Sequence, residues 1–240
     1  MAVRIGHAST GENGGRNNVA GDQTGKEVKI SNWYKNNWNL ILRPKTSELA
    51  EEMARVCEFL CKHPYVGYDM NDRNTLHSLL KSKNYDLNAL DKPVETDCSA
   101  FMTLCAIASG VSTLEYTSNA PVCSTMERAF KATGMFFVIK DKNITNSDKY
   151  LQKGDIIVNT SKHTVMALDN GKCFNYVLNG MKGLNVVKVQ IRLASKGYQV
   201  GEIDGDCGVK TVNAIKAFQK DNNLEVDGIV GKNTWKMIEG

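Results

Sequence analysis

Cys98, His163 and Asn175 are the residues whose types and spacing could do chemistry together. Residues 95–110, ETDCSAFMTLCAIASG, read as a helix with a capped start. Asp97 is an N-cap residue, Phe101, Leu104, Cys105 and Ala108 recur at helical spacing, and Gly110 is a natural stop. Cys98 then falls in the first turn. Unpaired backbone N–H groups and the positive end of the helix dipole favour a thiolate there. A thiol so placed is either a nucleophile or a buried packing group, as free cysteines commonly are. A nucleophile needs a base and a group that orients the base. The chain has four histidines, His7, His63, His77 and His163. His163 begins a predicted strand soon after the Gly154-Asp155 turn, and it is the candidate base. His63, before Pro64, reads as solvated, His77 as half-buried on a helix, and His7 as an exposed loop residue. Asn175, further along on the returning strand, could hold one imidazole tautomer.

The elements that must position these groups follow from periodicity. Residues 1–26 are polar and glycine-rich and read as a surface loop. Short strands are expected at 28–30 and 39–43, with Trp33, Tyr34 and Trp38 between them as core aromatics or a platform for a sugar face. Helices are expected at 47–62, 71–83 and 124–133. The pattern then turns to period two, with strands at 135–140, 156–159, 163–168 and 173–177. The last two read as a hairpin around Asp169-Asn170-Gly171-Lys172. Asn175 shares the face of His163 if the loop has three residues, 169–171, with Gly171 left-handed, or if the hairpin holds a bulge. Helices followed by antiparallel strands indicate an α+β domain.

Residues 177–185 break the pattern. Beyond them Asp204-Gly205, Gly208 and Thr211 recur as Asp227-Gly228, Gly231 and Thr234. Each unit supplies a turn, a threonine cap and an amphipathic helix, so a small three-helix module is expected, with helices near 187–195, 211–220 and 234–238. The domain reading is therefore 1–178, a linker at 179–185, and 186–240.

The composition is ordinary for a globular chain of 240 residues: 42% hydrophobic and 23% charged. A net charge of +4 is too small to argue for nucleic acid. No apolar run approaches a membrane span, and residues 1–15 hold no apolar signal-peptide core. A product made in the cytoplasm without a signal peptide would reach an outside target only after release. Seven cysteines, an odd number with no C-x-x-C, point to reduced thiols rather than a disulfide framework or zinc ribbon. Cys57 and Cys61 read as helix core, and no metal or cofactor is expected.

DCSAF around Cys98, the GDI turn at 154–156, His163 at a strand start and a polar residue beyond it resemble the NlpC-type papain-like cell-wall peptidases and related phage amidases. The resemblance implies a papain-like fold, a Cys-bearing helix packed on an antiparallel sheet. It implies Cys98 as nucleophile, His163 as base and Asn175 as the orienting residue. Tyr68 resembles a tyrosine that lines such sites, beside Asp97 and Ser99. The opening GHAS…GDQTGKEV resembles clostridial phage endolysins of this group, which implies His7, Asp22 and Gln23 as cleft residues. The stretch RLASKGYQVGEIDGDCGVKTVNAIKAFQKDNNLEVDGIVGKNTW resembles the peptidoglycan-binding module of bacterial and phage lysins, with Cys207 where a hydrophobe is usual. Through it, Tyr198, Asp204, Gln219, Asp227 and Trp235 are the candidate wall-binding residues. The two resemblances imply a lysin that hydrolyses an amide of the peptidoglycan stem peptide, as endopeptidase or N-acetylmuramoyl-L-alanine amidase. Its partner is then peptidoglycan, with no nucleic acid and no membrane insertion. Two other readings stand beside it. One is a zinc-dependent amidase using His7, His77 or His163, although H-E-x-x-H is missing. The other is a wall-binding protein without catalysis.

Overall fold

The computed structural model describes residues 2–11, 14–16, 26–140, 142–172 and 176–239. They form two compact units, Met1–Gly171 and Lys172–Gly240. The first is built on an antiparallel six-stranded sheet in the order β2-β1-β8-β7-β3-β6. Its strands are β1 (Arg4–Ala8), β2 (Val28–Asn32), β3 (Leu40–Pro44), β6 (Phe136–Ile139), β7 (Ile156–Asn159) and β8 (His163–Ala167). A parallel pair, β4 (Val66–Tyr68) and β5 (Val94–Thr96), lies apart from it. Helices α1 (Ser47–Lys62), α2 (Thr75–Ser82), α3 (Cys98–Ala108), α4 (Met126–Ala132) and the short α5 (Lys142–Thr145) complete the unit.

The α1 helix forms where the pattern predicts. Thr46 caps it by accepting from the Leu49 N–H, and Leu49, Met53, Val56 and Leu60 bury one face. The α3 helix is different, being buried from Cys98 through Ile107 on every side. A helix apolar all round must lie in the core, and α3 packs against α1, β1 and β8.

Three expectations are corrected. Residues 1–26 are not one surface loop, because Arg4–Ala8 pairs with β2 on one edge and β8 on the other. Alternation within so short a segment, Arg-Ile-Gly-His-Ala, is masked by Gly6 and His7, so the strand was not legible. Among the described residues no pairing of β8 with the expected 173–177 strand is present, and its two edges pair with β1 and β7. Residues 173–175 lie outside the described residues, and Val177 instead bridges Val230 in the second unit. Gly171 is not left-handed and donates its N–H to the Leu151 carbonyl.

The Gly154-Asp155 turn anchors the sheet. Gly154 has φ +85, and a Cβ there would sit 2.5 Å from the Ala50 carbonyl oxygen, so only glycine lets β7 start against α1. Asp155 is fully buried and takes both Arg43 Nε at 2.7 Å and Nη2 at 2.5 Å. This ties the start of β7 to β3, and β7 in turn sets β8 in register, with Asn159 opposite His163.

The second unit carries α6 (Leu184–Ser195), α7 (Val209–Asp221) and α8 (Lys232–Glu239). The predicted repeat is closed by two buried glutamines. The Gln190 amide accepts from Gly205 N–H at 2.9 Å and donates to Asp204 at 2.9 Å and Thr211 at 3.1 Å. The Gln219 amide accepts from Gly228 N–H at 2.8 Å and donates to Asp227 at 2.8 Å, Thr234 at 3.3 Å and the Ile229 carbonyl at 2.9 Å. Truncating Gln219 strands several of these groups, at about 1–3 kcal/mol for a buried unsatisfied one. Gln219→Ala is therefore expected to speed amide hydrogen exchange in α7 and α8 by roughly 10- to 100-fold, with α3 unchanged.

Candidate active site

Cys98 opens α3 because Asp97 caps it. Asp97 Oδ1 accepts from the Ala100 N–H at 2.7 Å and from the Ser99 hydroxyl at 3.0 Å. An aspartate charge beside a thiol would oppose its ionisation, but Arg73 neutralises it. Arg73 Nε and Nη2 grip the two Asp97 oxygens at 2.6 and 3.1 Å, and both side chains are buried. Arg73 also donates to Ser99 Oγ at 2.9 Å and to the Ala120 and Pro121 carbonyls. It therefore ties the start of α3 to the segment that leads to Cys123. An arginine 24 residues before its partner, on a stretch between β4 and α2, carried no local signal.

His163 starts β8 and lines the same cleft as Cys98, where it favours the thiolate. Its Nε2 lies 3.2 Å from Nδ1 of His7, and His7 Nε2 lies 3.0 Å from the Ser31 hydroxyl. His163 Nδ1 is not engaged by His7. His7 is 4% exposed, not the exposed loop residue expected. Burial, with the charges of His163 and Lys29, lowers its pKa to about 3. His7 is thus a neutral imidazole that can accept a proton-bearing nitrogen and pass orientation to Ser31. Trp38 is fully buried beside His163, with ring centroids 6.3 Å apart, so it is core rather than a sugar platform. Tyr34 packs between Trp38 and His7 and is exposed at the rim.

The cleft above these groups measures about 510 Å³ and is lined by Tyr34, Tyr68, Asp97, Cys98, Ser99, Cys123 and His163 among others. Burial and the neighbouring Cys98 push the phenols of Tyr34 and Tyr68 up, keeping both as donors at neutral pH. Cys123 faces Cys98 at 3.7 Å, sulfur to sulfur. The two thiols act as one acid site. One proton leaves below the ordinary thiol range, because the remaining S–H donates to the new thiolate. The other is held far above it by that bond and by burial. Cys123 is the thiol lowered and Cys98 the one raised, with His163 pulling Cys98 the other way.

The sequence candidates therefore separate. Cys98, His163, His7, Tyr68, Asp97 and Ser99 come together. Asn175, Asp22 and Gln23 lie outside the described residues. His77 belongs to another cluster, stacked on Tyr116 at 4.0 Å and 3.3 Å from the Tyr85 hydroxyl. In the second unit Gln219 is 1% exposed, Asp204 and Asp227 accept from the two glutamines, and the Tyr198 hydroxyl donates to Asp221 at 3.0 Å. Trp235 Nε1 is buried without a hydrogen-bond partner among the described residues. No helix among the described residues is long and apolar enough to cross a membrane.

Comparison with known proteins gives two family matches. Residues 182–238 match the model described as "Putative peptidoglycan binding domain". A spore cortex-lytic enzyme of Bacillus cereus is 36% identical over 62 residues, covering 26% of this chain and 24% of that protein. The N-acetylmuramoyl-L-alanine amidase CwlM of Mycobacterium tuberculosis is 36% identical over 56 residues, 23% of this chain and 14% of that protein. The chain thus spans a quarter or less of these relatives. A solved Burkholderia AP3 phage endolysin is 32% identical, with a TM-score of 0.26, over 27% of this chain and 25% of that one. Residues 5–174, well over half of the chain and the whole of the Cys98–His163–His7 cluster, match the model of the endolysin-like domain, and the chain belongs to that family.

Proposed function

We propose that this chain is a thiol peptidoglycan hydrolase that cleaves an amide of the stem peptide, with the second unit holding it to the wall. The observation that carries the reading is a cleft lined by both Cys98 and His163, a thiol and a base, with His7 and Ser31 hydrogen-bonded in line behind His163. The wall-directed part of the reading draws on the two family matches. His163 Nδ1 takes the Cys98 proton, and its Nε2–H then donates to His7 Nδ1. The thiolate attacks the amide carbonyl. The Ala100 and Phe101 N–H groups are already used by Asp97, so those of Cys98 and Ser99 are the first-turn donors left for the oxyanion. His163 protonates the leaving amine, and the C–N bond breaks to leave a thioester on Cys98. Water, giving its proton to His163, then attacks the thioester carbon, and the C–S bond breaks to release a carboxylate and the thiol. The chemistry is papain-like and of the NlpC kind, with His7 behind His163 in the orienting role that the sequence reading gave to Asn175, a residue outside those described.

The test is mass spectrometry of walls digested by the fully reduced protein. New lactyl carboxyl ends identify an amidase, and new peptide amino ends identify an endopeptidase. Walls that bind the protein but release no fragments overturn the reading.

His7 supplies a further prediction. His7→Phe removes the acceptor behind His163 and is expected to lower kcat roughly 10²-fold with little change in KM. Stability changes in the opposite sense. The unfolded histidine takes a proton near its ordinary value of 6.5, whereas buried His7 resists until about 3. Stability is thus complete above about pH 6.5 and falls as pH drops through that window. Melting curves from pH 7 to 4 should show a shallower acid loss in His7→Phe.

A further inference from the structure

Six cysteines are described, and all are free thiols. Cys57, Cys105 and Cys207 are fully buried, and the Cys61 thiol donates to the Lys29 carbonyl at 3.5 Å. Among the described cysteines, only Cys98 and Cys123 line the cleft, and their sulfurs are in contact at 3.7 Å. The mechanism uses Cys98 alone. Nothing in it requires a second thiol against the nucleophile.

We propose that Cys98 and Cys123 are a redox pair, closing to a disulfide when a hydroperoxide enters the cleft and reopening with a dithiol reductant. The effect on activity rests on Cys98 being the nucleophile, whereas the disulfide itself does not. In the first step the Cys98 thiolate attacks one peroxide oxygen, the O–O bond breaks, and hydroxide leaves and takes a proton. Cys98 is then a sulfenic acid, oxidised by two electrons. In the second step the Cys123 thiolate attacks the Cys98 sulfur, the S–O bond breaks, and a second water leaves. Two thiols and one hydrogen peroxide become one disulfide and two waters. A disulfide needs sulfurs about 2.0 Å apart, so the sulfurs must close in from 3.7 Å. Cys98 is fixed at the start of a buried helix. Cys123 lies between the short turn Ser112–Leu114 and α4, outside any helix or strand, so the approach falls to the Cys123 side.

The pairing has a functional consequence. A sulfenic acid without a neighbouring thiol proceeds to sulfinic and sulfonic acids, which dithiols do not reverse. Cys123 intercepts it at the reversible stage.

The test treats the full chain with hydrogen peroxide and digests it under non-reducing conditions with a glutamate-specific protease. Cleavage after Glu95, Glu115 and Glu127 separates Cys98, on 96–115, from Cys123, on 116–127. A Cys105→Ala background leaves one cysteine on each peptide. The expected result is a linked pair lighter by two hydrogens, with wall-fragment release down more than 10-fold and restored by dithiothreitol. Cys123→Ala, compared with its own reduced activity, is expected to regain less than a tenth after the same treatment, with Cys98 carrying two or three oxygens. Over-oxidised Cys98 beside a free Cys123 in the unsubstituted chain overturns the proposal, as does linkage of Cys98 to any other cysteine. A linked pair in a protein whose reduced Cys98→Ala form still cleaves walls keeps the disulfide but overturns both its regulatory role and the thiol-hydrolase reading.

Discussion

Cys98→Ala is expected to lower wall-fragment release by a factor of about 10⁴ while the protein still sediments with walls. The size of the loss follows from how the cluster works as a unit. On the proposed mechanism there is no covalent intermediate without the sulfur, and His163, His7 and the first-turn N–H groups have nothing to act on. Loss of a nucleophile in such a unit typically leaves about 10³–10⁴-fold catalysis over water, from binding and oxyanion contacts alone. Folding changes little, since one buried sulfur is removed from a helix whose other core residues remain. Cys98→Ser is expected to be nearly as inactive, because a hydroxyl beside His163 ionises far less readily than a thiol. Both measurements belong in a dithiol reductant, so that the Cys98–Cys123 contact stays open. Full activity in Cys98→Ala, abolished by a chelator, would replace this reading with a zinc-dependent amidase.

Arg73→Met is expected to destabilise the first unit by about 3–5 kcal/mol, because it leaves the Asp97 carboxylate buried without its cation. For a unit of this size that corresponds to a melting temperature lower by on the order of 10 °C. The substitution also frees the Ala120 carbonyl from its 2.9 Å bond, loosening the segment before Cys123. The thiol reports it too. With Asp97 uncompensated, negative charge next to Cys98 opposes the thiolate, and alkylation of Cys98 by iodoacetamide at neutral pH should slow. Adding Asp97→Asn should restore much of both losses. The amide still accepts from the Ala100 N–H, and the orphaned charge is gone. A double-mutant cycle with no coupling between positions 73 and 97 would refute the account.

The Asp97 case shows how much of the site was legible locally. The cap, the helix and the thiol in its first turn all follow from residues 97–110, since capping and 3.6-residue periodicity act over a few residues. The same holds for α1, for β7 and for the Asp-Gly-x-x-Gly repeat. What neutralises Asp97, what orients His163 and what faces Cys98 did not follow, because Arg73, His7 and Cys123 reach their partners across 24, 156 and 25 residues. His7 is the clearest instance. In a glycine-rich opening it resembles a loop histidine, and only pairing of β1 between β2 and β8 buries it against His163. Asn175 rested on a hairpin whose partner edge on β8 pairs with β1. Gln219, chosen for a wall-binding motif, spends its amide on turns of its own unit.

Short-range terms such as caps, glycine turns and amphipathic spacing were thus enough to place a nucleophile-type cysteine at a helix start and a candidate base at a strand start. They also marked a repeated helical module. Strand order and the partners of buried charge were decided only in the tertiary structure. A strand's hydrogen-bonding edges are satisfied by whichever segment the whole sheet delivers, and a buried ion is satisfied by whichever counter-charge the core encloses with it.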